Sequence, residues 1–301
     1  MNTIAHSSSG TPPNPRASAR EIVSLFKLRI GFIIMLTALV GAAFVPDVGP
    51  GVSGTLMLAL AVLLSSAAAG GFNQFYEREG DARMARTRGR PFVTGSIPAT
   101  RSWLFVFGIM MALSFALATW AANVHAAIYT LLGGLFYGVV YTVWLKRRSA
   151  WNIVVGGASG SFAVLAGAAA VDPAIGPLGW TLAAGLFLWT PPHFWSLAIA
   201  NRDDYEAAGI PMLPVVIGIP RAATVVFWST VALVAVSLLP VALGAGWVYA
   251  VGASVGGAFF LFRSWQLAHE QTRKRAMAAF FASLVQLILL LAAAALDPLF
   301  R

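Results

Sequence analysis

The sequence contains no cysteine, and this absence excludes several kinds of function. Disulfide bridges, zinc sites with thiolate ligands and cysteine nucleophiles all need the missing residue. Histidine is scarce too, and the four histidines lie too far apart in sequence to indicate a compact imidazole metal site. They are His6, His125, His193 and His269.

Charged residues make up only 10% of the 301 residues, whereas 58% are hydrophobic. A soluble domain typically carries about a quarter charged residues. A water-soluble core could not bury so much apolar surface, but a bundle of membrane-spanning helices can. The formal net charge of +9 is therefore interpreted through membrane topology, and no nucleic-acid partner is expected.

Apolar runs of about 17–25 residues mark candidate transmembrane helices. Nine such runs predict an all-α, polytopic membrane protein built as a single bundle. No run begins the chain, so we expect no cleaved secretory signal. Residues 1–20, rich in Ser, Pro, Ala and Arg, are predicted to form a disordered cytoplasmic tail before one domain over 21–301. The predicted spans are 30–47, 54–72, 103–122, 126–144, 151–171, 178–200, 222–243, 246–262 and 276–296.

The basic residues fall almost entirely on one side of this predicted bundle. With the nine spans in place, 19 of the 20 Lys and Arg residues share a side with the N terminus, and only Arg301 lies opposite. Basic residues of membrane proteins concentrate in the cytoplasm, so the N terminus is predicted to be cytoplasmic. One miscounted span would move every later loop across the membrane, so this partition also favours nine.

Two connections on the predicted cytoplasmic side are longer than helix turns need. In the first, Asn73, Glu77 and Asp81 repeat at every fourth residue. If the second span continues as a helix, the three side chains share one face over about 12 Å. Three oxygen ligands suit Mg²⁺, and arginines supply planar donors for phosphate oxygens. Arginines follow this repeat at positions 83, 86, 88 and 90.

An alternative interpretation of this first loop is a hydrated connection with topology-determining arginines, and composition alone favours it. The four-residue spacing at the cytoplasmic end of a span favours a diphosphate–Mg²⁺ site instead. The second long connection, 189–214, again carries acids and an arginine beyond a span. Its Asp203 and Asp204 could simply cap or solvate a helix end. Together, the two loops predict polar clusters that face each other and suit a substrate with one apolar and one polyanionic end.

These two loops resemble the motifs of a known family. The acidic repeat followed by Arg-Thr-Arg-Gly-Arg-Pro at 86–91 is similar to the first motif of the intramembrane aromatic prenyltransferase superfamily. Pro-His-Phe-Trp at 192–195 and the run 203–214 narrow the resemblance to the heme O synthase family. Lys146 and Arg147 also match a family position, and the resemblance covers about residues 20 to 296.

The resemblance implies Mg²⁺-dependent transfer of a farnesyl group from farnesyl diphosphate to a vinyl group of heme b, a substrate, giving heme O. It further implies a bacterial inner membrane protein with cytoplasmic active-site loops, and heme A synthase as a partner. The assigned residues are Asn73, Glu77, Asp81, Asp203 and Asp204 for catalysis; Asn73, Glu77, Asp81 and Asp204 for metal; Arg83, Arg86, Arg90, Lys146, Arg147 and Arg202 for diphosphate; and His193, Trp195, Asn201 and Tyr205 for heme.

The sequence departs from the family pattern at two places. Glu77 stands where members usually have Asp, which keeps the charge. Superfamily relatives usually show a second Asp-x-x-x-Asp, whereas these positions here hold Asn201 and Tyr205. Which second-loop oxygen binds metal therefore stays open. His193 has two equally weighted interpretations, a ring satisfied by backbone groups freed at Pro191 and Pro192, or a heme contact that also serves acid–base chemistry.

Two rival functions fit parts of the same pattern. A membrane transporter would also be a polytopic bundle, but carriers place polar sites near the bilayer midplane, and here the charges gather at one mouth. A prenyltransferase for a quinone or chlorophyll precursor would share the first loop, and the second loop argues against it.

Overall fold

The computed structural model describes residues 18–84 and 87–300, and within these residues every regular element is a helix. The all-α prediction is therefore confirmed for the part of the chain that is described. In chain order the helices are α1 (Ala19–Leu25), α2 (Leu28–Phe44), α3 (Gly51–Asp81), α4 (Pro91–Thr94), α5 (Ser102–Ala121), α6 (Val124–Leu135, continued by a π-helix over Phe136–Leu145), α7 (Asn152–Val171), α8 (Pro177–Ala200), α9 (Arg202–Ala207), α10 (Leu213–Ile217), α11 (Ile219–Ala242), α12 (Trp247–His269), α13 (Arg273–Leu296) and a 3₁₀-helix (Asp297–Phe300).

A long helix occupies each of the nine predicted spans, but the helices are not equally suited to cross a membrane. Six are long and apolar enough among the described residues: α3, α5, α6 with its π-helix, α7, α11 and α13. A seventh results if α1 and α2, which meet at a bend of 54°, form one span. Proline, tryptophan and histidine lower the hydropathy of α8, as Arg263 and several glycines do in α12. The structure supports a multi-pass membrane protein, and nine spans stay a prediction.

Helix α7 lies against α2, α6 and α8, and small residues allow it to come close. A Cβ atom at Gly167 would lie 1.8 Å from the carbonyl oxygen of Ala38 in α2. At Gly41 of α2 it would lie 2.3 Å from the carbonyl oxygen of Val164. Small residues at helix contacts let the backbones approach in a lipid environment, where packing rather than water exclusion drives association. This contact fixes α2 and α7 with almost no freedom to shift.

The short helix α4 docks on the end of α3 through an aromatic cluster. The ring of Phe92 meets Phe75 of α3 at a centroid distance of 5.7 Å and Trp103 of α5 at 5.6 Å, both edge to face. Such pairs are favoured by the quadrupoles of the rings. The cluster holds the residue that precedes α4, Arg90, beside the acidic end of α3.

The first described residues form a capped helix. Ser18 accepts from the backbone N–H of Glu21 at 3.3 Å, and the Glu21 carboxylate accepts from the backbone N–H of Ser18 at 2.8 Å. This reciprocal pair is a capping box, which satisfies two N–H groups that the helix leaves free. Helix α1 begins at Ala19, so the last two residues of the predicted tail, Ala19 and Arg20, are helical. Residues 1–17 of that tail lie outside the described residues.

Candidate active site

The acidic repeat lies at the end of α3, as its spacing predicts. Helix α3 continues to Asp81, and Asn73, Glu77 and Asp81 share one face with only 2% of each residue exposed. A helix of 31 residues is about 46 Å long, whereas the hydrocarbon core of a bilayer is about 30 Å thick. The last turns of α3 can therefore project beyond the hydrocarbon, where they place two buried carboxylates and a carboxamide.

Three of the predicted diphosphate-binding residues contact these acids. Lys146 donates to Glu77, whose other oxygen lies 3.7 Å from Nε of Arg147. Arg90 donates to Asp81. Lys146 and Arg147 follow the π-helix directly, so this irregular end of α6 determines where both cations lie. The structure therefore brings these cations to the acids that the spacing singles out.

A fourth cation, Lys27, was missed by the sequence analysis as a site residue. Its Nζ donates to Oδ1 of Asn73 at 2.5 Å and to the hydroxyl of Tyr137 at 2.9 Å. The Nδ2 of Asn73 donates in turn to Oγ1 of Thr142 at 2.9 Å. Lys27 occupies the bend between α1 and α2 with a positive φ of 50°. The sequence offered only its positive charge, because the Lys27–Asn73 contact joins residues 46 positions apart.

The charges of this cluster do not balance. Four cations, Lys27, Arg90, Lys146 and Arg147, surround two carboxylates. Buried charge needs compensation, so a surplus of cations at a largely buried site favours an anionic ligand. The bidentate geometry of arginine and the ammonium of lysine both suit phosphate oxygens.

The same cluster has the donor chemistry of a hard divalent cation. Oε1 of Glu77 is buried and accepts no hydrogen bond from the described residues. Two carboxylates and a carboxamide form the donor set, and no three His, Asp or Glu gather anywhere in 18–84 and 87–300, this site included, to hold a metal by themselves. Mg²⁺ is usually held by one or two carboxylates together with substrate phosphates and water. The residues therefore fit Mg²⁺ when a phosphate ligand accompanies it.

The remaining charged residues of the prediction lie apart from this cluster. Asp203 and Asp204 are exposed, and Arg202 contacts Asp203 at 3.5 Å and Glu206 at 3.0 Å. Arg83 is exposed as well, and the predicted Arg86 lies outside the described residues. The structure does not join the acids of the second loop to those of the first. The catalytic and metal-binding assignments of Asp203 and Asp204 stay predictions.

His193 is buried in an aromatic sandwich on α8. Its ring stacks on Trp189 at a centroid distance of 4.1 Å and on Phe280 of α13 at 4.6 Å. Its Nδ1 lies 2.6 Å from the hydroxyl oxygen of Ser283. Helix α8 continues through Pro191 and Pro192, and a side-chain hydroxyl, rather than a backbone group freed at these prolines, contacts this nitrogen.

The other predicted heme-binding residues have structural contacts of their own. Trp195 is 2% exposed, packs in the core formed by α8 and α11 to α13, and its Nε1 has no hydrogen-bond partner among the described residues. Asn201 ends α8 and donates to the carbonyl of Leu197 at 2.9 Å. Tyr205 in α9 is half-buried. These positions place Trp195 and His193 on one helix, two residues apart, with Asn201 at its end.

Comparisons with known proteins agree on one family. The UbiA prenyltransferase family model matches residues 34–285. The chain is 52% identical to protoheme IX farnesyltransferase 2 of Paramagnetospirillum magneticum, over 94% of this chain and 98% of that protein. Identity to protoheme IX farnesyltransferase 1 of the same organism is 47%, over 92% and 98%. The solved structure of a UbiA homologue from Archaeoglobus fulgidus bound to DMAPP and Mg²⁺ shares the fold, with a TM-score of 0.69 and 17% identity over 90% of this chain and 99% of that chain.

Proposed function

The chain belongs to the UbiA prenyltransferase family, and we propose that it transfers a farnesyl group from farnesyl diphosphate to a vinyl group of heme b. Pyrophosphate is released, water adds, and the product is heme O. The relatives that are named for this activity match nearly the whole of this chain and nearly the whole of their own length. We therefore assign the substrates in their name to this chain. The observation that carries the proposal is the set of four cations that surrounds the buried residues Asn73, Glu77 and Asp81.

The diphosphate is assigned to the cluster at the end of α3. Arg90 and Lys146, which contact the carboxylates of Asp81 and Glu77, can turn to phosphate oxygens, since charge-assisted hydrogen bonds to phosphate are stronger than neutral ones. Lys27 and Arg147 add positive charge at the same place. We also assign Arg83, Arg86 and Arg202 to the diphosphate, as cations that attract it on its way to the cluster.

Asn73, Glu77 and Asp81 are the residues that would hold Mg²⁺. A bound Mg²⁺ supplies Lewis-acid neutralisation of the pyrophosphate leaving group. The support for this assignment is the unsatisfied, buried Oε1 of Glu77 and the oxygen-only donor set. The Mg²⁺ in the Archaeoglobus fulgidus homologue agrees with the same metal here.

The acceptor is assigned to the α8 side of the bundle. Cleavage of the bond between C1 and oxygen leaves an allylic cation, which an apolar, membrane-embedded wall protects from water. The vinyl carbon of heme b donates the electron pair for the new carbon–carbon bond. The aromatic residues that stack on His193 offer apolar surface on this side, and we also assign Trp195, Asn201 and Tyr205, on α8 and α9, to the acceptor. The hydroxyl of Ser283 fixes the orientation of His193 and leaves Nε2 for the acceptor.

The chain is proposed to span the inner membrane nine times with a cytoplasmic N terminus. The one-sided distribution of the basic residues supports this orientation. The diphosphate cluster then faces the cytoplasm, where a water-soluble diphosphate head can reach it. Heme A synthase, an enzyme that would consume heme O, is the proposed partner.

Farnesyl transfer by the purified protein tests the proposal. The full chain in detergent is supplied with Mg²⁺, radiolabelled farnesyl diphosphate and heme b, and the extracted hemes are identified by mass spectrometry. We expect label in a product with the mass of heme O. If para-hydroxybenzoate is prenylated and heme stays unmodified, the rival aromatic acceptor is supported instead. If neither product forms, a carrier becomes the better interpretation.

A further inference from the structure

A groove on the outer surface of α12 and α13 combines apolar walls with a basic end. Its volume is about 360 Å³, and the residues used below are Phe259, Arg263, Lys274, Arg275, Phe281 and Val285. The apolar members are open to the surroundings: Phe281 is 57% exposed, Val285 41% and Phe259 37%. In a membrane protein this surface faces lipid, so acyl chains are the natural contact for the walls.

The basic end of the groove is held in place by contacts within the protein. The guanidinium of Arg263 lies over the rings of Phe259 and Phe262 at 5.4 and 5.6 Å and donates to Oε1 of Gln266 at 3.0 Å. Arg275 pairs with Glu270 at 2.8 Å, and it is the only one of the three cations that pairs with a carboxylate among the described residues. Lys274 is exposed. The groove therefore carries surplus positive charge, and contacts within the protein hold Arg263 and Arg275 in place.

We infer that this groove binds an anionic phospholipid of the cytoplasmic leaflet, with its phosphate at Arg263 and Lys274 and an acyl chain along Phe281 and Val285. The cations belong to the side of the chain that holds 19 of the 20 basic residues, which is the leaflet where anionic lipids attract cations. A zwitterionic lipid would bring its own ammonium and would leave the surplus charge uncompensated. A soluble phosphate would not use the apolar walls.

The groove is separate from the candidate active site. Phe281 and Val285 lie on one face of α13, whereas Ser283, which contacts His193, lies about 200° around the helix from Phe281. Substitutions of the groove cations Arg263 and Lys274, which within the described residues have no hydrogen bond or ring contact with His193 or its aromatic partners, therefore leave the His193 contacts and the α3 cluster unchanged. Lipid binding does not depend on which acceptor the enzyme prenylates.

The test compares lipids on the purified, delipidated full chain in a neutral detergent. Dioleoylphosphatidylglycerol, dioleoylphosphatidylcholine and glycerol 3-phosphate are added separately, with thermal unfolding followed by intrinsic tryptophan fluorescence and retained lipid by native mass spectrometry. We expect the phosphatidylglycerol to be retained and to raise the unfolding temperature more than the other two. The double substitution R263Q/K274Q should lower its affinity about tenfold or more, since each interfacial cation contributes several-fold to anionic lipid binding.

The matched control is R101Q/R221Q, which removes two exposed cations from elsewhere on the same side. It should retain the lipid preference of the native chain. Equal retention of the two lipids, or an equal loss in the control pair, would overturn the inference. If glycerol 3-phosphate raises the unfolding temperature as much as phosphatidylglycerol does, the groove is a site for a soluble anion and not for a phospholipid. If R263Q/K274Q unfolds early in phosphatidylcholine, the single K274Q substitution, at an exposed side chain, gives the same comparison.

Discussion

At the scale of single residues, the spacing of Asn73, Glu77 and Asp81 is enough to predict that the three side chains share one face of a helix. The reason is local: four-residue spacing on a continuous helix fixes the direction of each side chain. Lys27 could not be predicted, because its contact with Asn73 depends on how α1, α2 and α3 pack. The sandwich of His193 depends in the same way on α13, whose Phe280 and Ser283 come some 90 positions later.

Replacement of Lys27 tests its place in the diphosphate site. Lys27→Met should weaken the binding of a non-hydrolysable farnesyl diphosphate analogue about tenfold or more, because a charge-assisted hydrogen bond contributes about 1.5–3 kcal/mol. The measurement is a direct titration of the purified protein with that analogue. Arg29→Met removes an exposed cation two positions away and should bind the analogue normally. Similar losses in both variants would show a general effect of charge and not a contact of Lys27.

Substitutions at Arg90 and His193 separate the two substrates. Arg90→Ala should weaken analogue binding by about tenfold or more, since it removes a cation beside Asp81. His193→Ala should leave analogue binding nearly unchanged and should impair heme use or the chemical step. Analogue titration and steady-state kinetics with varied heme b give the two measurements. Equal loss of analogue binding in both variants would contradict the assignment of His193 to the acceptor side.

At the scale of elements, apolar runs predict the positions of the long helices but not the details that shape the site. The run at 126–144 gave one span, whereas the structure ends it with a π-helix over Phe136–Leu145. The wider turn of this segment places Tyr137 beside Lys27, Thr142 beside Asn73 and Lys146 beside Glu77. Hydrophobicity does not distinguish an α-helix from a π-helix. This part of the site was therefore beyond sequence pattern alone.

The contact between α2 and α7 gives an element-scale prediction. Gly167→Ala should destabilise the protein by about 1–3 kcal/mol or prevent its folding, since the added Cβ collides with backbone that cannot move aside. Gly160→Ala on the same helix is the control, because its Cβ would meet nothing within 4 Å. Thermal unfolding in detergent compares the two. Equal stability of both variants would show that α2 and α7 are not as closely packed as the structure has them.

At the scale of the whole molecule, the number of spans decides where every loop lies. By length and composition, six or seven helices among the described residues could cross a membrane, whereas the distribution of the basic residues favours nine spans. The difference rests on α8 and α12, which are long enough to cross but, unlike the qualifying helices, contain no sufficiently long stretch of high hydropathy. A buried helix inside a bundle needs less lipid-facing apolar surface, and α8 is buried along most of its length.

Reporter fusions along the chain test this topology directly. With nine spans and a cytoplasmic N terminus, fusions after Arg90, Arg147, Glu206 and Thr272 should report the cytoplasm. Fusions after Pro50, Val124, Ala174 and Ala245 should report the exterior. The pair Ala174 and Glu206 brackets α8, and the pair Ala245 and Thr272 brackets α12. If both fusions of a pair report the same side of the membrane, the helix between them does not cross it. The basic residues in the loops beyond that helix would then lie on the opposite side from the one predicted.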